Sequence, residues 1–155
     1  MKVIIVTDCF SYEGRCERLC RIVNSFIRSG EYELYAFCTY EDKIEADIIS
    51  FIPVSGRGGI AECIDLAGLV VGEERFFLVL ERCATSVNYE KMLKSHLSKA
   101  CGITVGAIGT EDNWKNTGIY IVERECLDIS EECYSVDLDI ALPCAEREDL
   151  NIFFA

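Results

Sequence analysis

The sequence lacks any apolar run approaching the ~20 residues of a membrane span; its longest runs are about a strand in length. Residues 1–6, Met-Lys-Val-Ile-Ile-Val, are too short an apolar core for a secretion leader, and no small-residue cleavage site follows. There is no Cys-x-x-Cys pair and one histidine, His96, which leaves no Cys/His zinc pattern. No Walker or dinucleotide fingerprint is present, and no lysine occurs between Lys2 and Lys43. Positive charge is scarce: 15 Lys and Arg face 27 Asp and Glu, a net charge of −12. That balance opposes nucleic-acid backbones and anionic lipid surfaces, so the expectation is no nucleic-acid and no membrane partner. Small anions stay open, because backbone amides and helix N-termini bind them regardless of net charge.

What is present is a globular chain. Its 155 residues are half hydrophobic, enough for one domain, 1–155, with a proper core. Ten cysteines, at 9, 16, 20, 38, 63, 83, 101, 126, 133 and 144, read mostly as buried free thiols in a reducing cytoplasm, since free cysteine packs as a small hydrophobe. Cys16 and Cys20, one helical turn apart, are the alternative start of a thiol metal site.

The β-branched run at 2–8 reads as a strand. Residues 13–29 read as a helix with Leu19, Ile22, Val23, Phe26 and Ile27 inward, stopped by Gly30. Strands follow at 32–38 and 47–52, then the glycine-rich turn SGRGG at 55–59. A helix at 60–70 turns Ile60, Cys63, Ile64 and Ala67 to one face. The unbroken run FFLVL ends a strand at 75–80 and delivers Glu81, Arg82 and Cys83 to its C-terminal end. Residues 88–99 form a helix capped by Asn88, with Met92, Leu93 and Leu97 inward and His96 in a structural role. Strands are expected at 102–109, 118–122 and 150–154, and the acidic stretch 123–139 as a solvated surface of short helices. Alternating strands and helices imply a three-layer α/β/α fold with a mostly parallel sheet. Its ligand edge then lies at the strands' C-terminal ends, where loops 8–15, 55–60 and 81–88 converge.

In that order, several segments resemble the sugar-nucleotide pyrophosphorylases, nucleotidyltransferases that join a sugar 1-phosphate to a nucleoside triphosphate. They are MKVIIVTDCF, FIPVSGRGGIAECIDLA, GEERFFLVLERCATSVNYEKMLKSH, NTGIYIVERECLDI and YSVDLDIALPCAEREDLNIFFA. The chain looks most like the mannose-1-phosphate guanylyltransferase branch. It is also similar to the degenerate copies in the gamma and epsilon subunits of translation initiation factor two B. The resemblance implies the Rossmann-like nucleotide-diphospho-sugar transferase fold. It also implies a nucleotide- and sugar-binding remnant at Arg15, Gly58, Gly59, Ala61 and Asn116.

The departures bear on chemistry. Asp8 and Cys9 replace two glycines of the family's phosphate loop, and the signature lysine is missing. The position of the metal-binding aspartate holds Cys83, a poor ligand for magnesium, which takes oxygen donors. The second metal aspartate and the sugar-binding Glu-Lys-Pro insert have no counterpart. Nucleotidyl transfer relies on metal and cationic stabilisation of the phosphates. The expectation is therefore a non-catalytic nucleotidyltransferase-like domain that serves as an interaction or regulatory subunit in a hetero-oligomeric assembly, with no resident cofactor. The alternatives are a minimal pyrophosphorylase, with magnesium held by Glu81 or Asp8, and a sensor that binds nucleotide or nucleotide sugar.

Overall fold

Seven strands line up in the order β3-β2-β1-β4-β6-β5-β7. They are β1 (Lys2–Val6), β2 (Glu33–Cys38), β3 (Ile49–Pro53), β4 (Phe76–Leu80), β5 (Ile103–Thr110), β6 (Asn113–Val122) and β7 (Leu150–Phe154). The computed structural model describes residues 1–7, 15–38, 48–55, 59–72, 74–81, 87–127 and 135–155, without the side chains of Arg15 and Cys16. Strands β1 to β4 run parallel, with Val6 opposite both Phe37 and Leu80. Strand β6 runs against β4 and β5, and β7 lies parallel to β5. The sheet is therefore mostly parallel with one reversed strand.

The period-two alternation of each strand sorts the core into two layers. Val3, Ile5, Leu34, Ala36, Phe77, Val79, Ile119 and Ile121 face α1 (Arg15–Ser29) and α3 (Tyr89–Lys99). Ile4, Phe37, Phe76, Leu78, Val105, Tyr120 and Val122 face the other way. That face is covered by α2 (Gly59–Val71), a 3-10 turn (Arg124–Leu127), a π-helical turn (Asp137–Ala141) and α4 (Leu142–Glu146). On the α1–α3 face, Phe26 stacks on Tyr89 with ring centroids 3.9 Å apart and meets Phe77 edge-on at 5.3 Å. Such aromatic pairs add about 0.5–1.5 kcal/mol beyond the area they bury.

The expected Asn88 cap is present. Asn88 Oδ1 accepts from Lys91 N at 2.9 Å at the start of α3. Lys2 Nζ donates to the last carbonyls of α2, Val70 O at 3.0 Å and Val71 O at 3.4 Å.

Three expectations are corrected. Ile27 and Leu97 point outward rather than into the core, at 43% and 51% exposure. Strand β6 begins at Asn113, not 118, because its first residues pair with β5 alone, in an arm that extends past the end of β4. The acidic stretch is not all surface: Leu127 and Val136 are buried against the α2 face, and Glu123 bonds His96. The described cysteines are mostly buried, as expected; Cys9, Cys83, Cys133 and the side chain of Cys16 lie outside the described residues. Cys38, Cys63, Cys101 and Cys144 are buried, Cys126 is half-buried and Cys20 is exposed. Among the described residues no helix is long and apolar enough to cross a membrane.

Candidate functional site

The parallel strands β1 to β4 all end at the same edge, and β6 begins there. Pairing continues one residue past each strand end. Thr7 N bonds Phe37 O at 3.2 Å, Glu81 N bonds Val6 O at 3.0 Å, and Val54 N bonds Cys38 O at 3.0 Å. Hydrogen-bonded backbone thus carries Thr7, Val54 and Glu81 to the rim. Thr7 Oγ1 also donates to Phe37 O at 2.8 Å.

Glu81 lies on the α1 side of β4, in register with Phe77 and Val79, and is 1% exposed. A carboxylate in that position needs a partner. Arg18, in the second turn of α1, supplies it: its Nε donates to Glu81 Oε1 at 2.5 Å. A metal ion at Glu81 Oε1 would compete with this guanidinium.

A second cluster forms where β6 enters the sheet. The register against β5 shifts between Val105 and Ala107, so β6 carries a bulge across 117–119. Gly118 takes φ +74°, a conformation open to glycine at little cost. Asn116 holds the bulge, its Oδ1 accepting from Gly118 N at 2.8 Å. Its Nδ2 donates to Tyr120 Oη at 2.6 Å and Asp137 Oδ1 at 2.7 Å. Tyr120 Oη donates to the same Asp137 oxygen at 2.8 Å. Asn116, expected in the nucleotide- and sugar-binding remnant, thus helps build the strand entry, and its internal partners engage both of its polar atoms.

The third cluster flanks the glycine-rich turn. Glu62, in the first turn of α2, accepts from Ser55 N and Ser55 Oγ, both at 2.7 Å. An internal carboxylate thus sits at the helix N-terminus, where an external anion would be favoured.

Of the residues expected at the site, Gly59 opens α2 and Arg15 opens α1. Ala61 packs against the core below α2. Asp8, Gly58 and Cys83 lie outside the described residues. Arg18, Glu62, Tyr120 and Asp137 were not read as site residues from the sequence. Arg18 had one usable signal, a cation on the inward half of a helix whose other inward positions are apolar.

The opposite, N-terminal edge holds a different set of groups. His96 is buried, with Nδ1 2.9 Å from Thr104 Oγ1 and Nε2 3.0 Å from Glu123 Oε1. Glu123 also pairs with Arg75 at 3.2 Å. Burial pushes the imidazole below its ordinary value, against the opposing pull of Glu123. Nearby, Cys126 and Cys144 approach to 3.7 Å. Burial, with Cys144 alongside, pushes the Cys126 thiol up to about 12. His96 forms no nucleophile–base arrangement with a serine in this geometry; its partners suit a structural imidazole.

No protein-family model matches the chain, and no curated protein sequence matches it. Solved structures do. A protein assigned as a glucose-1-phosphate thymidylyltransferase from Bacillus anthracis, in complex with a sucrose, superposes with a TM-score of 0.77 at 13% identity. That match covers 100% of this chain and 87% of that one. HddC from Yersinia pseudotuberculosis matches with TM-score 0.73 at 15% identity, over 99% of this chain and 89% of its own. The same protein complexed with GMP-PN gives 0.70 at 14% identity, over 99% and 90%. With the strand order and layers above, the fold is that of the nucleotidyltransferases: Rossmann-like, three-layer and mostly parallel.

Proposed function

We propose that this chain is a non-catalytic nucleotidyltransferase-like domain. It would act in the cytoplasm as an interaction or regulatory subunit, in a pyrophosphorylase assembly or in an exchange complex of the translation initiation factor two B type. The observation that carries this reading is the mutual pairing of polar side chains along the ligand edge. Glu81 is tied to Arg18, Glu62 to Ser55, and Asn116 to Tyr120 and Asp137.

A site for a nucleoside triphosphate needs donors and cations aimed outward, with a carboxylate pair for magnesium. Here three of the described groups at that edge are carboxylates, Glu62, Glu81 and Asp137, each neutralised or hydrogen-bonded from within. The sequence adds Cys83 at the metal position and no lysine in the first loop. Magnesium enters this reading only if catalysis is found. The partner is a protein, and support for its docking surface comes from three exposed leucines. Leu69, Leu138 and Leu142 are 82%, 65% and 49% exposed, all on elements that cover the α2 face.

The test is a thermal-shift panel on the pure chain, with the nucleoside triphosphates and common nucleotide sugars, each with and without magnesium. A ligand at 100 times its dissociation constant stabilises by about 2.7 kcal/mol. For a domain of this size that is a rise of roughly 5–10 °C. The expected result is no shift with any ligand. A magnesium-dependent shift with one triphosphate would overturn the reading in favour of an enzyme. A magnesium-independent shift with a nucleotide sugar would replace it with a sensor.

A further inference from the structure

We propose that Cys126, Cys144 and Asp149 form a binding site for a thiophilic divalent cation of the zinc type, at the edge of the sheet opposite the candidate site. Their ligand atoms all lie within 4.8 Å of one another, and no other such group of three occurs among the described residues.

The backbone builds the cluster without long flexible segments. Helix α4 ends in a Schellman turn. Asp149 N bonds Cys144 O at 2.8 Å, Glu148 N bonds Ala145 O at 3.0 Å, and Glu148 takes the left-handed φ of 58°. That turn brings the residues three before and two after the helix cap side by side, where an apolar contact is usual. Here the two positions are a thiol and a carboxylate. The third ligand comes from the 3-10 turn after β6, which is held by Cys126 N to Glu123 O at 3.0 Å, with Glu123 N on Gly102 O at 2.9 Å.

Gly102 lies between the groups. A methyl group there would fall 2.3 Å from Asp149 Oδ2 and 2.5 Å from Cys126 Sγ. Only glycine lets the carboxylate and the thiol come so close. Asp149 Oδ1 accepts from Gly102 N at 2.6 Å, which fixes the carboxylate and leaves Oδ2 toward the thiol.

The spacing suits a metal. Two zinc–sulfur bonds of about 2.3 Å at the tetrahedral angle set their sulfurs about 3.8 Å apart. The Cys126 and Cys144 sulfurs are 3.7 Å apart. Two thiolates and one carboxylate select a soft cation over magnesium or calcium. Arg147, with a guanidinium nitrogen 3.4 Å from Cys144 Sγ, offsets the surplus negative charge. Cys126 and Asp149 also line a cavity of about 440 Å³ shared with Arg75, His96 and Glu123. The fourth coordination position therefore opens to water or to a solute from that cavity. Each thiol loses its proton on binding, so one cation enters as two protons leave.

The test uses the whole chain, fully reduced, titrated with cobalt(II) as the optical probe and then with zinc. The expected result is one equivalent of cobalt with a thiolate charge-transfer band and the visible bands of a tetrahedral ion, both removed by zinc. Cys126→Ser, at a half-buried position, and Asp149→Asn, which keeps the bond to Gly102, should each weaken binding by more than about tenfold. The same zinc addition should raise the melting temperature of the parent chain and of neither variant. Absence of the bands overturns the proposal. Bands that survive in Cys126→Ser do so as well, because they would belong to other cysteines. A Cys126–Cys144 disulfide that forms in air despite saturating zinc would mark the pair as a redox couple instead, and the proposal would fall.

Discussion

His96 is the chain's sole histidine, and its setting makes protonation costly. The ring is 1% exposed and bonded to Thr104 and Glu123, with the Cys101 sulfur 3.5 Å from Nδ1. Burial lowers its proton affinity more than Glu123 restores it. In the unfolded chain the imidazole titrates near its ordinary value of about 6.5. Between that value and the lower folded one, the unfolded state binds more protons, so stability rises with pH through this window. The His96 contribution is thus complete above about pH 6.5 and is lost as pH falls through the folded value. Chemical denaturation of the parent and of His96→Gln, at about pH 7.5 and about pH 5, checks this: the stability gap between them should narrow at the lower pH. A gap that widens in acid would mean that Glu123 wins and the imidazolium is the folded form. The sequence placed His96 on this helix, and the structure sets it in the last turn. Its partners were not legible, because Glu123 is 27 residues away and comes from a different layer.

At the scale of elements, the tie between α1 and β4 is the point where fold and candidate site meet. Arg18 and Glu81 are 63 residues apart in sequence and join the first helix to the end of a central strand. Glu81 has a fully buried side chain, while Arg18 keeps 29% exposure, so removing the arginine takes a cationic partner from a charge with little access to water. Breaking such a pair from one side costs about 3–5 kcal/mol, whereas replacing both groups with apolar ones is often neutral. Arg18→Met should therefore lose about 3 kcal/mol in urea unfolding, and Arg18→Met with Glu81→Leu should recover most of it. Strictly additive losses would show that the pair is not coupled. The helix faces show how far periodicity reaches. Leu19, Ile22 and Phe26 are buried as the 3.6-residue period requires, but Ile27 on the flank of the stripe is not. Period gives the direction of the buried face; the neighbouring element sets its width. The start of β6 was hidden for a related reason. Asn113 to Asn116 pair only with β5, so no sheet face buries them and no apolar alternation marks them.

For the whole molecule, the apolar runs showed that a covered sheet must form, because the central strands β1 and β4 are buried on both faces. Direction is not written in such runs. The buried half of β6, residues 118–122, reads as an apolar run like β4, yet the strand is reversed and inserted between β4 and β5. The candidate edge was legible as a place, since parallel strands end together, while its internal pairing depended on contacts made only on folding. One whole-molecule property is fixed by composition, the net charge of −12. Folding confines that charge in a small volume, and self-repulsion works against the compact state. Among the described ion pairs, Arg21–Glu17 and Lys94–Glu90 are exposed neighbours along a helix, where solvent screening leaves each of little worth. Arg18–Glu81 is the buried one, and burial shields it from added ions. Salt therefore screens the repulsion more than it weakens attraction. Raising sodium chloride from about 0.01 M to about 0.15 M shortens the screening length from about 30 Å to about 8 Å. The melting temperature at neutral pH should rise over that range and level off once the length falls below the spacing of surface carboxylates. A fall in melting temperature with salt would mean that exposed pairs, not net repulsion, dominate the electrostatics of this surface.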